Sequence, residues 1–486
     1  MDLLLIRPND QKAIYGDLTQ IAACEPPFWA ATIAGFVRQK NFSVKIIDAE
    51  TYNLSPDEVA DKVKEINPLL VQIIVTGTNL SASTWKMEGA GLLANSIKKV
   101  YDGKVAMWGL HPAALPEQTL SEENIDFVIK GEGFNSVCTL LDELKQNKTE
   151  FDIPGIYYYT KSGEKKGNPS IDLQQDLSSM PMAAWDLVPM ERYKAHNWQC
   201  FGDVQSVGNY AVIATSLGCP FNCEFCAVSA LFGKKCVRYQ SPEKVIEEID
   251  HLVKNHGVHY IKILDECFVL NKKHVNVICD LLIERNYDLN IWAYARVDTV
   301  DEILLQKLSK AGFKWLAYGI ESASEKSLKD VSKGQYTLEQ TKKVVKMTQK
   351  SGIYVNANYI FGLPEDNFAS MWQTLAFAIE LNTEWVNLYT TMAYPGSKLY
   401  HEAIENKVSL PKSWRGYSQY SYECMPLNSN YLSSGEILSF RDYAFDVYFK
   451  NPRYLDKINK MFGEKTLNDI IKMTSSLLKR GYSQFK

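Results

Sequence analysis

From Tyr210 onward, apolar runs alternate with helical patterns six times in succession, and this repeat constrains the fold more than any other feature of the chain. The strand-like runs are residues 211–217, 260–264, 291–296, 315–320, 355–361 and 386–392. Between them, 243–255, 273–285, 301–311, 338–351 and 368–381 carry apolar residues at helical spacing. Strands that follow one another across a helix must lie parallel, and six such units predict a parallel barrel or partial barrel. The chemistry of such a barrel sits on the rim formed by the carboxyl ends of its strands.

The first part of the chain shows a second alternation. Short runs at 3–6, 44–48, 69–75, 104–109 and 127–129 are separated by helical patterns at 29–39, 56–66 and up to about residue 100. Near-continuous apolar strands between helices predict a doubly wound parallel sheet of Rossmann or flavodoxin type. Ligands of such sheets bind at the strand ends, here Thr76-Gly77-Thr78, Gly109-Leu110-His111-Pro112 and Gly131-Glu132-Gly133. Four segments follow: a Rossmann-like domain at 1–145, a proline-punctuated strap at 146–208, the barrel at 209–400 and an aromatic helical region at 401–486 that packs across a barrel end. The fold class expected is α/β.

Composition narrows the partners. The 53 Lys and Arg against 57 Asp and Glu leave a net charge of −4, which offers no counterpart to a nucleic-acid backbone. The N-terminal stretch is not a signal peptide, and no apolar run approaches the ~20 residues that span a bilayer. Ten cysteines in 486 residues are too few for a disulfide scaffold, so a cytoplasmic protein with reduced thiols is expected.

Three of those cysteines are bunched. Gly218-Cys219-Pro220-Phe221-Asn222-Cys223-Glu224-Phe225-Cys226 places them as C-x3-C-x2-C in a loop directly after the first barrel strand. Thiolates select zinc or iron–sulfur clusters. A structural zinc site takes four ligands, usually as two pairs, and no second pair lies nearby; Cys236 stands alone. Three thiolates on a four-iron cluster leave one iron open, whereas an electron-transfer cluster uses four. The remaining seven cysteines are scattered and read as small buried apolar residues, and His251, His256 and His259 as surface residues.

With this loop and the six-strand barrel, the sequence resembles the radical S-adenosylmethionine (SAM) superfamily. The resemblance implies a 4Fe-4S cluster on Cys219, Cys223 and Cys226, with SAM chelating the open iron and cleaved by one electron to a radical that abstracts hydrogen. It further implies a reductant such as flavodoxin or ferredoxin and a small-molecule substrate. Phe225 precedes the last cysteine as in the family. The other strand ends are in register with SAM contacts: Asp265-Glu266 for the ammonium, Arg296 for a carboxylate or a rim acid, Glu321-Ser322 for ribose or carboxylate, and Ile360 with Gly362 for adenine. The family's paired glycines before the acid are missing here.

The N-terminal domain resembles the cobalamin-binding domain of one subclass, through Glu25-Pro26-Pro27-Phe28-Trp29, Gly109-Leu110-His111-Pro112 and Gly131-Glu132-Gly133. Thr76, Thr78, Gly109, His111, Gly131 and Glu132 are the contacts this implies. The Asp-x-His-x-x-Gly motif of histidine-ligated cobalamin enzymes is absent, so cobalamin bound here would lack a histidine lower ligand. The expected activity is methyl transfer to an unactivated carbon. Cyclisation, rearrangement or dehydration by the same architecture is the alternative, and a non-catalytic iron–sulfur scaffold is a remote one; for the N-terminal domain the alternative to cobalamin binding is a flavodoxin-like unit that holds the barrel and binds nothing. A methylthiotransferase would carry a second cysteine cluster, but only Cys24 and Cys138 precede residue 200.

Overall fold

The computed structural model describes residues 1–481 except 17–18, 20–21, 78, 204–206, 234–235, 334–335 and 476–477. Strands β1 (Leu3–Arg7), β2 (Val44–Asp48), β3 (Leu70–Val75), β4 (Lys104–Gly109) and β5 (Phe127–Ile129) form a parallel sheet in the order β2-β1-β3-β4-β5. Period-two geometry sends Leu3 and Leu5 into one core and Leu4 and Ile6 into another, so both faces of β1 are buried. Helices Pro56–Ile66 and Met87–Val100 cover one face, and Phe28–Gln39 with Phe134–Lys145 cover the other. Two strands from the strap segment, β6 (Ile156–Tyr159) and β7 (Lys165–Gly167), extend this sheet antiparallel beyond β5.

Helix Phe28–Gln39 is apolar all round, and its first ten residues are buried. A helix without a polar face needs cover on every side. The sheet supplies Trp108, the strap supplies Trp185 and the barrel supplies Phe232, whose rings lie 5.3–6.5 Å from those of Trp29 or Phe28. The helix therefore joins the two α/β units through one continuous core.

The second sheet runs β15-β14-β13-β12-β11-β8, all parallel. Its strands are β8 (Tyr210–Ile213), β11 (Tyr260–Ile263), β12 (Asn290–Ala295), β13 (Phe313–Glu321), β14 (Tyr354–Phe361) and β15 (Trp385–Thr390). This is the expected partial barrel, with one correction. The run 211–217 is not one strand: β8 stops at Ile213, and β9 (Ser216–Cys219) turns away to pair antiparallel with β10 (Cys236–Tyr239). Asp265 causes the break, since its carboxylate takes the Thr215 backbone N–H and both the Thr215 and Ser216 hydroxyls at 2.6 Å.

The amino end of the barrel is closed. Trp198 and Phe201 from the strap pack on Trp292, Trp315 and Trp385, and Phe462 of the tail caps Phe201. Helix Ser434–Phe449 and the following helix reach the same end, where the Tyr448 and Tyr454 hydroxyls donate to the carbonyls of Thr383 and Glu384. The C-terminal region thus packs across a barrel end as expected. No helix among the described residues is long and apolar enough to cross a membrane.

Candidate functional site

The cysteine loop leaves β9 at the open, carboxyl end of the barrel. Gly218 adopts φ +95°, a conformation side chains disfavour, and turns the chain into the loop. Beyond it the Glu224 N–H donates to the Val331 carbonyl, the Leu399 N–H donates to the Glu224 carbonyl, and Lys398 holds the Glu224 carboxylate at 2.8 Å. Phe225 packs against Leu399 and Tyr400. The loop is thereby pinned from outside while its thiols stay half-buried and free.

Burial pushes all three thiols up, Cys219 to about 11, and the Glu266 carboxylate adds to the effect at Cys219 and Cys226. Thiolates in such surroundings require a cationic partner, which the iron of a cluster supplies. Among the described residues no three His, Cys, Asp or Glu side chains converge tightly enough for a single ion.

The strand ends that face this loop divide into engaged and available groups. Asp265 at the end of β11 is buried and consumed by Thr215 and Ser216, so it is not the free acid expected of it. Glu266 has no hydrogen bond or salt bridge among the described residues; burial first, then Asp265, pushes it up to about 7. Arg296 makes a two-pronged pair with Asp298 at 2.9–3.0 Å and lies 3.8 Å over the Phe221 ring. Glu321 sits at φ +64° where β13 shifts register, and its carboxylate binds Lys333. Ser322 is fully buried against Thr374 and serves packing, not a ligand. Ile360 is half-buried on β14, and Gly362 follows at φ +82° with its N–H donating to Asp366.

Lys333 escaped the sequence reading. Its ammonium is buried beside Glu321, 5.7 Å from the Phe225 ring and near enough to Cys223 to bias that thiol toward its charged form. No local pattern marks it: it lies in a loop twelve residues beyond its partner.

At the carboxyl ends of the first sheet, a cavity opens between the two α/β units. Arg7, Glu50, Thr76, Gly77 and Lys86 line it from one side and Val212 with Leu264 from the other. Thr76 is thus one of the lining residues, while Thr78 lies outside the described residues. Gly109 has φ +153°, and a side chain there would meet the Val75 carbonyl at 2.2 Å, so only glycine fits at the β4 end. The polar groups that line the cavity at these strand ends suit an amide-fringed ring such as cobalamin.

Three expected contacts are occupied otherwise. Gly131 gives its carbonyl to Trp108 Nε1 at 2.8 Å, and a side chain on it would meet Ile171. Glu132 is fully buried in a two-pronged pair with Arg238 of β10 and takes the Gln174 N–H at 2.8 Å, which ties the sheet to the cysteine hairpin. His111 is 1% exposed, edge-on to Trp414 at 4.3 Å, and burial pushes it down to about 3. His111 packs under the Trp414 indole of the tail and is not among the residues that line the cavity between the two units.

A second buried cluster, also unread in the sequence, spans the two units. Glu25 meets Lys262 of β11 at 3.0 Å, His196 at 3.1 Å and the Tyr210 hydroxyl of β8 at 3.0 Å. Burial opposes its charge, yet Lys262 and His196 hold the carboxyl down to about 2.

Comparison with known proteins accords with this geometry. The radical SAM superfamily pattern matches residues 213–378, and the B12 binding domain pattern matches 16–141. An uncharacterized methyltransferase of Pyrococcus horikoshii is 30% identical over 94% of both chains. An anaerobic magnesium-protoporphyrin IX monomethyl ester cyclase of Rubrivivax gelatinosus is 26% identical over 94% of this chain and 78% of its own. Among solved structures, the cobalamin-dependent SAM radical enzyme OxsB shares the fold with a TM-score of 0.72 over 97% of this chain and 70% of its own, at 15% identity. The radical SAM methyltransferase TsrM from Kitasatospora setae gives 0.67 over 84% and 75%, at 17% identity. The chain belongs to the radical SAM superfamily, in the branch whose barrel follows a B12-binding domain.

Proposed function

We propose that the protein is a cobalamin-dependent radical SAM methyltransferase that alkylates an unactivated carbon of a small molecule. The observation that carries this reading is the juxtaposition itself: the free cysteine loop and the cavity at the first sheet's strand ends open toward the same carboxyl rim of the barrel. Cys219, Cys223 and Cys226 would hold the cluster, and Glu266 would accept the SAM ammonium. Thr76, Gly77 and the Gly109 backbone would cradle cobalamin. When bound, the cluster and SAM supply hydrogen-atom abstraction from carbon, and cobalamin supplies a methyl group. The chain's own part is to exclude water and to hold the reacting carbon between the two units, with Glu266 fixing SAM by a charge-assisted hydrogen bond. The reading places the protein in a reducing cytoplasmic setting, with flavodoxin or ferredoxin as the one-electron donor.

The test is anaerobic reconstitution with iron, sulfide and hydroxocobalamin. Cluster absorbance, about one corrinoid per chain and a product heavier by one methylene unit are expected. Failure to retain corrinoid sinks the methyl-transfer reading. The Cys223→Ala variant should form no 5′-deoxyadenosine from SAM and dithionite, and retained cleavage would overturn the cluster assignment. A product of unchanged or lower mass supports the second reading, cyclisation without net methyl transfer, which the cyclase relative favours.

A further inference from the structure

The barrel lumen has a mouth built of tyrosines. Tyr294 of β12, Tyr389 of β15, Tyr394 of the loop after β15, Tyr420 of the tail and Tyr15 of the short helix Gln11–Tyr15 come from separate segments, and Tyr15 also borders the cavity between the two units. The Tyr15 and Tyr420 rings are 5.3 Å apart, Tyr394 lies 6.1 Å from both Trp85 and Tyr417, and Tyr389 is close enough to Tyr294, Tyr394 and Tyr420 for each to act on its hydroxyl. All five keep accessible surface although four of them lie deep in the protein, which is how residues behave around an internal space. The hydroxyls of Tyr15, Tyr294, Tyr389 and Tyr420 have no hydrogen-bond partner among the described residues. None of the four is among the buried polar atoms that lack a partner, so each faces accessible space and is available to a bound molecule.

The cations around this space are already committed. Lys86 pairs with Asp10 and Glu50 at 2.6 Å, Lys262 with Glu25, Arg296 with Asp298 and Lys333 with Glu321. Pulling any of these cations onto a substrate anion would strand a buried carboxylate without its partner. What remains for a substrate is aromatic faces and phenol hydroxyls.

We propose that this tyrosine mouth is the substrate subsite and that it takes an uncharged, ring-bearing molecule whose oxygen or nitrogen acceptors meet the free phenol hydroxyls. Phosphorylated and polycarboxylate molecules are rejected. The proposal rests on the radical SAM reading for the site's use, but the binding itself does not require turnover.

The experiment uses the reconstituted full chain and two probes, naphthol and naphthyl phosphate, with binding followed by equilibrium dialysis and tryptophan fluorescence. Naphthol should bind at least about tenfold tighter than its phosphate. Tyr420→Ala, which removes a stacking face, should weaken naphthol by about tenfold, and Tyr389→Phe, which keeps the ring and removes the hydroxyl, by several-fold. Equal or tighter binding of the phosphate, no naphthol binding, or indifference to both variants would each overturn the proposal. Cluster absorbance and substrate-free SAM cleavage are measured on the same samples. Loss of cleavage with naphthol binding intact defeats the functional reading and leaves the subsite standing.

Discussion

Asp265 accepts three hydrogen bonds from Thr215 and Ser216, whereas the next residue, Glu266, accepts none among the described residues and faces the cysteine loop. Adjacent carboxylates with opposite surroundings answer to substitution in opposite ways. Glu266→Gln should weaken SAM binding by roughly 10–100-fold, the worth of a charge-assisted hydrogen bond, with cluster content unchanged in an iron and sulfide assay. Asp265→Asn should instead lose about 1–3 kcal/mol of stability in denaturant titration, because two hydroxyls and an N–H lose a full set of acceptors. Both residues look alike in the sequence, since they sit side by side at a strand end. The cysteines were legible because three thiols in a Gly-Pro-Asn loop have few other uses. Glu132 was not, because its pairing with Arg238 joins residues 106 apart.

Among the elements, the strand and helix pattern was read nearly residue by residue. Helices Pro56–Ile66 and Phe368–Leu381 and strands Val44–Asp48 and Lys104–Gly109 fall where the periodicity puts them. These are local signals: a Ser55 capping box with Pro56 behind it starts the first of those helices, and the left-handed Asn67 ends it. The break after Ile213 was missed because what interrupts the strand is the distant Asp265, not a residue within it. Two glycines test how far local geometry carries. Gly362 at φ +82° would place a methyl 2.6 Å from Ile437, whereas Gly463 at φ +84° has open space. Gly463→Ala should cost about 1 kcal/mol from backbone strain alone, and Gly362→Ala about 2–4 kcal/mol because packing adds to it, as read by denaturant unfolding followed through barrel tryptophans.

For the whole molecule, the question is what holds the B12-binding domain at a fixed distance from the barrel. The Glu25–Lys262 pair joins residues 237 apart, and Arg238–Glu132 forms a second tie. Replacing Lys262 by Met should leave cluster and corrinoid content intact but raise the ratio of 5′-deoxyadenosine to product several-fold, since misplaced cofactors decouple hydrogen abstraction from methyl transfer. Equal loss of both products would mean that the pair matters only for folding. The pair also sets an acid limit. A carboxyl held at about 2 in the fold and near its ordinary 4.5 in the unfolded chain contributes stability that is complete above pH 4.5 and lost as the pH falls toward 2. The fluorescence of Trp292, on which Lys262 rests at 5.1 Å, should report that loss, and Glu25→Gln should remove this component. By itself the sequence determined two α/β units, their strands and the cysteine loop, because periodicity, caps and short-range ligand spacing are properties of neighbouring residues. Only the tertiary structure decided which carboxylates are consumed, which cations are paired and which side chains of the two units meet. Those are contacts between residues far apart in the chain, and nothing local encodes them.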